Sequence, residues 1–235
     1  MSDRDPREGQ FGLPPLPDED RRDEQEAVGV ASFLLSLRSR GIRDTALLRA
    51  MELVPRDVFA PRRFSDLSRT DVSLPLPCGQ TMTAPRTVAA MLVELGVREG
   101  QRILEVGTGT GYVSALLARL GAEVHSVERF NTLAESAGQH LKIVEARGVR
   151  IEVGDGLAPR PRERFDRILL NGAAASIPPA VTSLLAPGGR LVGALAVEGA
   201  PRLVRIERLE DGELRQELGI GLRISPLVSG VAQTL

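Results

Sequence analysis

The sequence predicts a doubly wound, mostly parallel α/β sheet, closed by an antiparallel C-terminal hairpin and capped by N-terminal helices. Three observations carry this expectation. A β-prone run, Ile103-Leu104-Glu105-Val106, enters glycines at 107, 109 and 111, and apolar residues at helical spacing follow from Val113 to Leu120. Strand-like runs then alternate with helical segments as far as Arg190 to Val197, the pattern of βαβ units. Finally, two alternating runs, Leu203 to Leu209 and Leu214 to Ile220, flank Asp211-Gly212, which is a strong hairpin signal.

Bulk properties narrow the class. A chain of 235 residues suits one domain with a terminal extension, and a hydrophobic share of 42% supplies a full core. A formal net charge of −1 gives no global attraction to nucleic acid or acidic membranes. The single cysteine, Cys78, excludes an internal disulfide, and with only His125 and His140 as imidazoles no metal site is expected. The first residues lack the apolar stretch of a signal peptide, and no apolar run approaches the roughly 18 residues of a membrane helix. A soluble cytoplasmic protein is the expectation, with the oligomeric state open and a monomer as the default.

Residues 1–26 are rich in Pro, Asp, Glu, Arg and Gly, so a disordered tail is expected ahead of a single domain spanning 27–235. Val30, Phe33, Leu34 and Leu37 place a helix over Ala27 to Arg40, stopped by Gly41. Asp44 is a good N-cap for a second helix that Pro55 ends. The proline-rich stretch 54–80 is too long for an idle connection and reads as a functional loop. Thr81 or Thr83 is a candidate N-cap for a helix starting at Pro85 and ending at Gly96; such a helix start offers N–H groups to an anion such as a carboxylate, and ordinary capping is the plainer alternative.

The glycines at 107, 109 and 111 let the backbone approach a ligand closely while the next helix points free N–H groups at it. The dinucleotide fingerprint would need glycine at 112, where Tyr112 stands, which favours another adenosine-bearing ligand. A second strand ends at Glu128, the position whose carboxylate can accept both hydroxyls of a ribose. Asn131 and Gly148 bound the following helix, and His140 on it is expected at the surface. Val149 to Val153 forms the third strand, closed by Gly154-Asp155-Gly156, and Phe165 to Leu170 the fourth, followed by the small-residue loop 171–176 and a short helix from Ile177 to Ala186.

An acidic residue followed by G-x-G-x-G, at 105–111, resembles the first motif of the Rossmann-like S-adenosylmethionine methyltransferases. Two further segments, Val54-Pro-Arg-Asp-Val-Phe-Ala-Pro61 and Gly79-Gln-Thr-Met-Thr-Ala-Pro85, resemble distinctive motifs of the protein-L-isoaspartate O-methyltransferases, and Val127-Glu-Arg129, Gly154-Asp-Gly156, Phe165 to Ile168 and Pro187 to Val192 follow in that family's order. The resemblance covers about residues 30 to 228. It implies S-adenosylmethionine as cofactor and methyl transfer to the free α-carboxylate of L-isoaspartyl residues in damaged proteins or peptides. It makes Thr83 the catalytic candidate and places Gln80, Thr81, Glu105, Gly107, Thr108, Gly109, Glu128, Arg129, Asp155 and Gly156 around the cofactor, with 27–84 forming the N-terminal helices and substrate-side loop. The chain departs from the family at Thr83 (usually serine), at Pro77-Cys78 and at Asn171 to Ser176, all on the substrate side. Alternatives are a carboxyl methyltransferase with another peptide or small-molecule substrate, a cofactor-binding peptide-recognition module without turnover, and a nicotinamide oxidoreductase.

Overall fold

Apolar residues alternate between the two faces of each central strand, so a sheet forms that is buried on both sides. In this computed structural model residues 18–159, 163–198 and 200–232 are described. The N-terminal part holds α1 (Asp18–Ser39), α2 (Thr45–Leu53) and the single-turn α3 (Arg56–Phe59). A small antiparallel hairpin follows, β1 (Leu74–Pro75) with β2 (Thr81–Met82), and then α4 (Pro85–Leu95). The α/β core comprises β3 (Arg102–Val106), α5 (Tyr112–Arg119), β4 (Glu123–Glu128), α6 (Asn131–Ile143), β5 (Val149–Val153), β6 (Phe165–Ala174), α7 (Pro179–Thr182) and β7 (Leu185–Leu195). It ends in β8 (Arg202–Arg208) and β9 (Leu214–Gly221).

The sheet runs β5-β4-β3-β6-β7-β8-β9, parallel through β7 and antiparallel from β7 to β9. Its two faces are covered unequally. Ile103 and Leu169 point into the larger core with α4, α5, α6 and the N-terminal helices, whereas Leu104, Ile168 and Leu170 point to a smaller core beside α7. Fully buried Leu95, Leu116 and Leu117 fasten α4 and α5 to the first face. Burying such a side chain stabilises by roughly 1.5–3 kcal/mol.

Several expectations need correction. Of the tail expected over 1–26, residues 1–17 lie outside the described residues, while 18–26 are the opening turns of α1. Glu24, Gln25, Glu26 and Ala27 are good helix formers, and Glu26 pairs with Arg69 at 2.8 Å, so charge did not stop the helix. Neither Thr81 nor Thr83 caps α4. The N-cap is Ala84, and Pro85 at the first helical position makes a side-chain acceptor less necessary by removing one orphan N–H. Asn131 is the first helical residue of α6 and bonds Glu135, with Phe130 as the cap, and the helix stops at Ile143, short of Gly148. The stretch 54–80 contains α3, two 3₁₀ turns and β1 rather than only loop. β6 continues through Ala174 into the expected small-residue loop, because Ala173 bonds Ser225 and Leu227 on a distant segment that no local pattern places there. The helix expected over 177–186 is only α7, since β7 already begins at Leu185.

Candidate active site

Strand order reverses where β3 lies between β4 and β6, so connections leave in opposite directions from the C-terminal ends of β3 and β6. A crevice at such a switch point is where open α/β sheets take ligands. A cleft opens there, with the ends of β3, β4 and β5 on one side and residues 80–83 on the other. Its lining joins the β1–β2 hairpin to the glycine loop, the ends of β4 and β5, and the chain after β9.

The glycine loop is fixed from both sides. Gly107 adopts φ +95°, an angle that favours glycine, and a Cβ there would crowd Leu227 Cδ2 at 3.3 Å. Gly109 N–H donates to Glu128 Oε2 at 2.8 Å, and Phe130 N–H to Oε1 at 3.1 Å. Each Glu128 oxygen therefore retains acceptor capacity while its position is locked. Thr108 is buried with its hydroxyl on Ser126.

Glu105 lies beneath this loop, fully buried, and does not line the cleft. Its Oε2 accepts from Ser114 and, at 2.8 Å, from Ser126, while Oε1 has no partner. Burial pushes its carboxyl up to about 7, opposed by the Ser114 and Ser126 hydroxyls and assisted by the negative charge of Glu128. Past β5, Asp155 accepts Leu157 N–H at 2.9 Å and Gly230 N–H at 2.6 Å, with Gly156 beside it in the lining. Arg129 also lines the cleft, its guanidinium 5.0 Å from the Phe130 ring centroid and its Nε buried without a partner.

Gln80, Thr81 and Thr83 face the same cleft from the opposite wall. Gln80 Nε2 donates to Cys78 O at 3.2 Å, and Thr81 Oγ1 meets Ser225 Oγ at 2.6 Å. Thr83 Oγ1 donates to Asn171 Oδ1 at 3.5 Å, and Asn171 Nδ2 donates to Gly107 O at 3.1 Å. The threonine turn and the glycine loop thus share one cleft, bridged by an asparagine. Every residue expected around the site lines it, except Glu105, which supports it from below.

Sequence reasoning missed the strap after β9. Ser225 and Leu227 pair with Ala173, Gly230 reaches Asp155, and Ala232 N–H donates to Arg129 O at 3.1 Å. The strap crosses the cleft from the threonine wall to the β4–β5 side. No periodicity marks it; only Pro226 and Gly230 hint at a turning, non-helical path. His140, expected at the surface, is half-buried, bonds Thr110 O at 2.9 Å and sits edge-on to Phe59, holding the end of the glycine loop.

The sheet order with its antiparallel end and the cleft at the switch point are those of the Rossmann-like methyltransferase fold. A chain from Plasmodium falciparum, solved in complex with S-adenosyl-L-homocysteine and assigned to the protein-L-isoaspartate O-methyltransferases, superposes with a TM-score of 0.75 over 85% of this chain and 98% of its own, at 21% identity. The family model for protein-L-isoaspartate(D-aspartate) O-methyltransferase matches residues 30–232. Among similar proteins, the protein-L-isoaspartate O-methyltransferase 2 of Rhodopseudomonas palustris is 43% identical over 205 residues, covering 86% of this chain and 94% of its own length. That of Parvibaculum lavamentivorans is 42% identical over 214 residues, covering 89% and 95%. The chain belongs to the protein-L-isoaspartate(D-aspartate) O-methyltransferase family.

Proposed function

We propose that this chain methylates the free α-carboxylate of L-isoaspartyl residues in proteins or peptides, with S-adenosylmethionine as donor, and so starts their repair. The observation that carries this reading is the bridge from Thr83 through Asn171 to Gly107, because it joins the acceptor wall to the donor cradle at the switch point. The residues present fit the donor. Glu128 keeps acceptor capacity for a ribose diol, Asp155 and Gly156 flank the position for the base, and the glycine loop has backbone room for the amino-acid end.

When bound, the donor supplies an electrophilic methyl group on a sulfonium. A carboxylate with an ordinary pKa of about 3.5 is already ionised at pH 7, so the acceptor needs no general base. The protein's task is alignment, and positioning of this kind can supply roughly 7–11 kcal/mol of barrier reduction. Thr83 orients the acceptor oxygen, Gln80 and Thr81 shape the wall, and the strap limits water in the cleft. Among the described residues no helix is long and apolar enough to cross a membrane. Action on cytoplasmic proteins by a monomer, with 27–235 as the working domain, completes the proposal.

The test is transfer of labelled methyl to an isoaspartyl peptide and to its normal aspartyl isomer. Label in the isoaspartyl ester alone supports the reading. Label in some other carboxylate, or donor binding without any ester, refutes it.

A further inference from the structure

Arg56 is buried, only 4% exposed, on the one-turn helix α3. Its Nη1 donates to Ser68 O at 2.8 Å, and its Nη2 to Val72 O and Thr83 O at 3.2 Å each. These three carbonyls come from separate points of the acceptor-side stretch, and the third belongs to the residue that faces the acceptor. Nε has no partner. The guanidinium lies 5.9 Å from the ring centroid of Tyr112, which itself lines the cleft.

Among the described residues no carboxylate lies within ion-pair distance of Arg56. Asp71 is the acidic group whose field reaches it, and that carboxylate is already held by Arg40 and, at 3.3 Å, by Arg86. Burial lowers the guanidinium pKa to about 10, which leaves it charged at neutral pH. A buried charge without a counter-ion is costly, and carbonyl dipoles offset only part of that cost. The staple uses three of the five guanidinium N–H donors and leaves Nε–H over, so both the charge and the donor set exceed what the three carbonyls take up.

We propose that Arg56 is a positioning residue for the acceptor. It fixes the Thr83 backbone, and its buried charge is completed by the carboxylate of the incoming peptide. The inference rests on the proposed carboxylate substrate. It predicts discrimination by charge: the wild type binds an isoaspartyl peptide more tightly than the same peptide with its α-carboxylate replaced by a carboxamide. Lysine keeps the charge but cannot hold all three carbonyls, so Arg56→Lys separates the charge from the staple.

The experiment measures inhibition or binding constants for the carboxylate and carboxamide peptides, together with S-adenosylhomocysteine affinity and melting temperature, in wild type, Arg56→Gln and Arg56→Lys. Arg56 does not line the cleft, so its charge acts on the carboxylate through space, and a wild-type preference of about tenfold for the carboxylate is expected. In Arg56→Gln, which loses both the charge and part of the staple, this ratio falls toward one while S-adenosylhomocysteine binding holds. In Arg56→Lys the ratio is largely retained and turnover falls. A folded Arg56→Gln with an unchanged ratio overturns the proposal. Should Arg56→Gln fail to fold, Arg56→Lys decides, and loss of the ratio there overturns it. A wild type that neither methylates nor prefers the carboxylate peptide refutes the substrate reading itself, a different failure from a preference that survives without Arg56.

Discussion

Thr83 and Asn171, 88 residues apart in the chain, meet over the end of the sheet, with the threonine hydroxyl donating to the amide oxygen at 3.5 Å. The amide cannot be turned round without cost, because its nitrogen is committed to Gly107 O. A bond of 3.5 Å lies at the limit of useful geometry, so the hydroxyl proton is readily passed to a better acceptor such as a carboxylate. Losing one hydrogen bond to a charged group costs about 1.5–3 kcal/mol, so Thr83→Ala should lower kcat/KM on an isoaspartyl peptide by roughly 10- to 150-fold. Thr83→Ser keeps the hydroxyl and should stay within a few-fold of wild type. Methyl-transfer kinetics check both, and unchanged turnover in the alanine variant would remove Thr83 from the mechanism.

Asn171→Asp changes one atom and reverses the chemistry on that side. The carboxylate cannot donate to Gly107 O, and it places a negative charge near the acceptor site and near Glu105, where the Asn171 amide now helps stabilise the ionised carboxyl. Both halves of the cleft should suffer: weaker S-adenosylhomocysteine binding by about tenfold and a larger fall in kcat/KM, from the lost bond and the like-charge repulsion together. Calorimetric titration and peptide kinetics on the same preparation would show it. A variant in which only one of the two changes would mean that Asn171 does not link the walls.

How far the site could be foreseen follows from these contacts. The glycine side of the cleft was legible because its geometry is local: Gly107, Gly109 and Glu128 lie within one strand–helix–strand unit, where spacing alone fixes position. The threonine wall opposite was legible only through its motif, and Asn171 was visible only as a departure, since its partners are Thr83 and Gly107 in distant segments. Arg56 was part of a motif, but that its charge has no counter-ion is a property of packing, invisible in the sequence. The strap was not legible at all, as Ser225 meets Thr81 across 144 residues and Gly230 meets Asp155 across 75.

That strap can be tested at its last fastening. Gly230 has φ +87° and donates its N–H to Asp155. Proline at this position can provide neither the angle nor the donor. Gly230→Pro should therefore free the strap from Asp155 and weaken S-adenosylhomocysteine binding by several-fold. The strap's core and sheet contacts are made earlier, by Ile224, Ser225 and Leu227, and Gly230 belongs to neither core, so the melting temperature should change by only a degree or two, the scale of a surface substitution. Equal losses of binding and stability would show that the strap is part of the core rather than a cover for the cleft.

Glu105 gives the site a pH dependence whose sign is fixed. Its folded pKa of about 7 exceeds the ordinary 4.5, chiefly through burial. Between those values the folded chain holds a proton that the unfolded chain has lost, so stability falls as pH rises from about 4.5 to about 7 and the penalty stays constant above. The full effect is on the order of 3 kcal/mol. Glu105→Gln removes the titration, so its melting temperature relative to wild type should climb across this window and then level off. Cofactor binding should run the other way. A cationic ligand above the loop favours the ionised carboxyl, so binding of S-adenosylmethionine between pH 6 and 8 should release part of a proton from the wild type and none from Glu105→Gln. Calorimetry in buffers of different ionisation enthalpy measures that proton directly. The same release from both proteins would assign it to another group and leave Glu105 as a purely structural support beneath the loop.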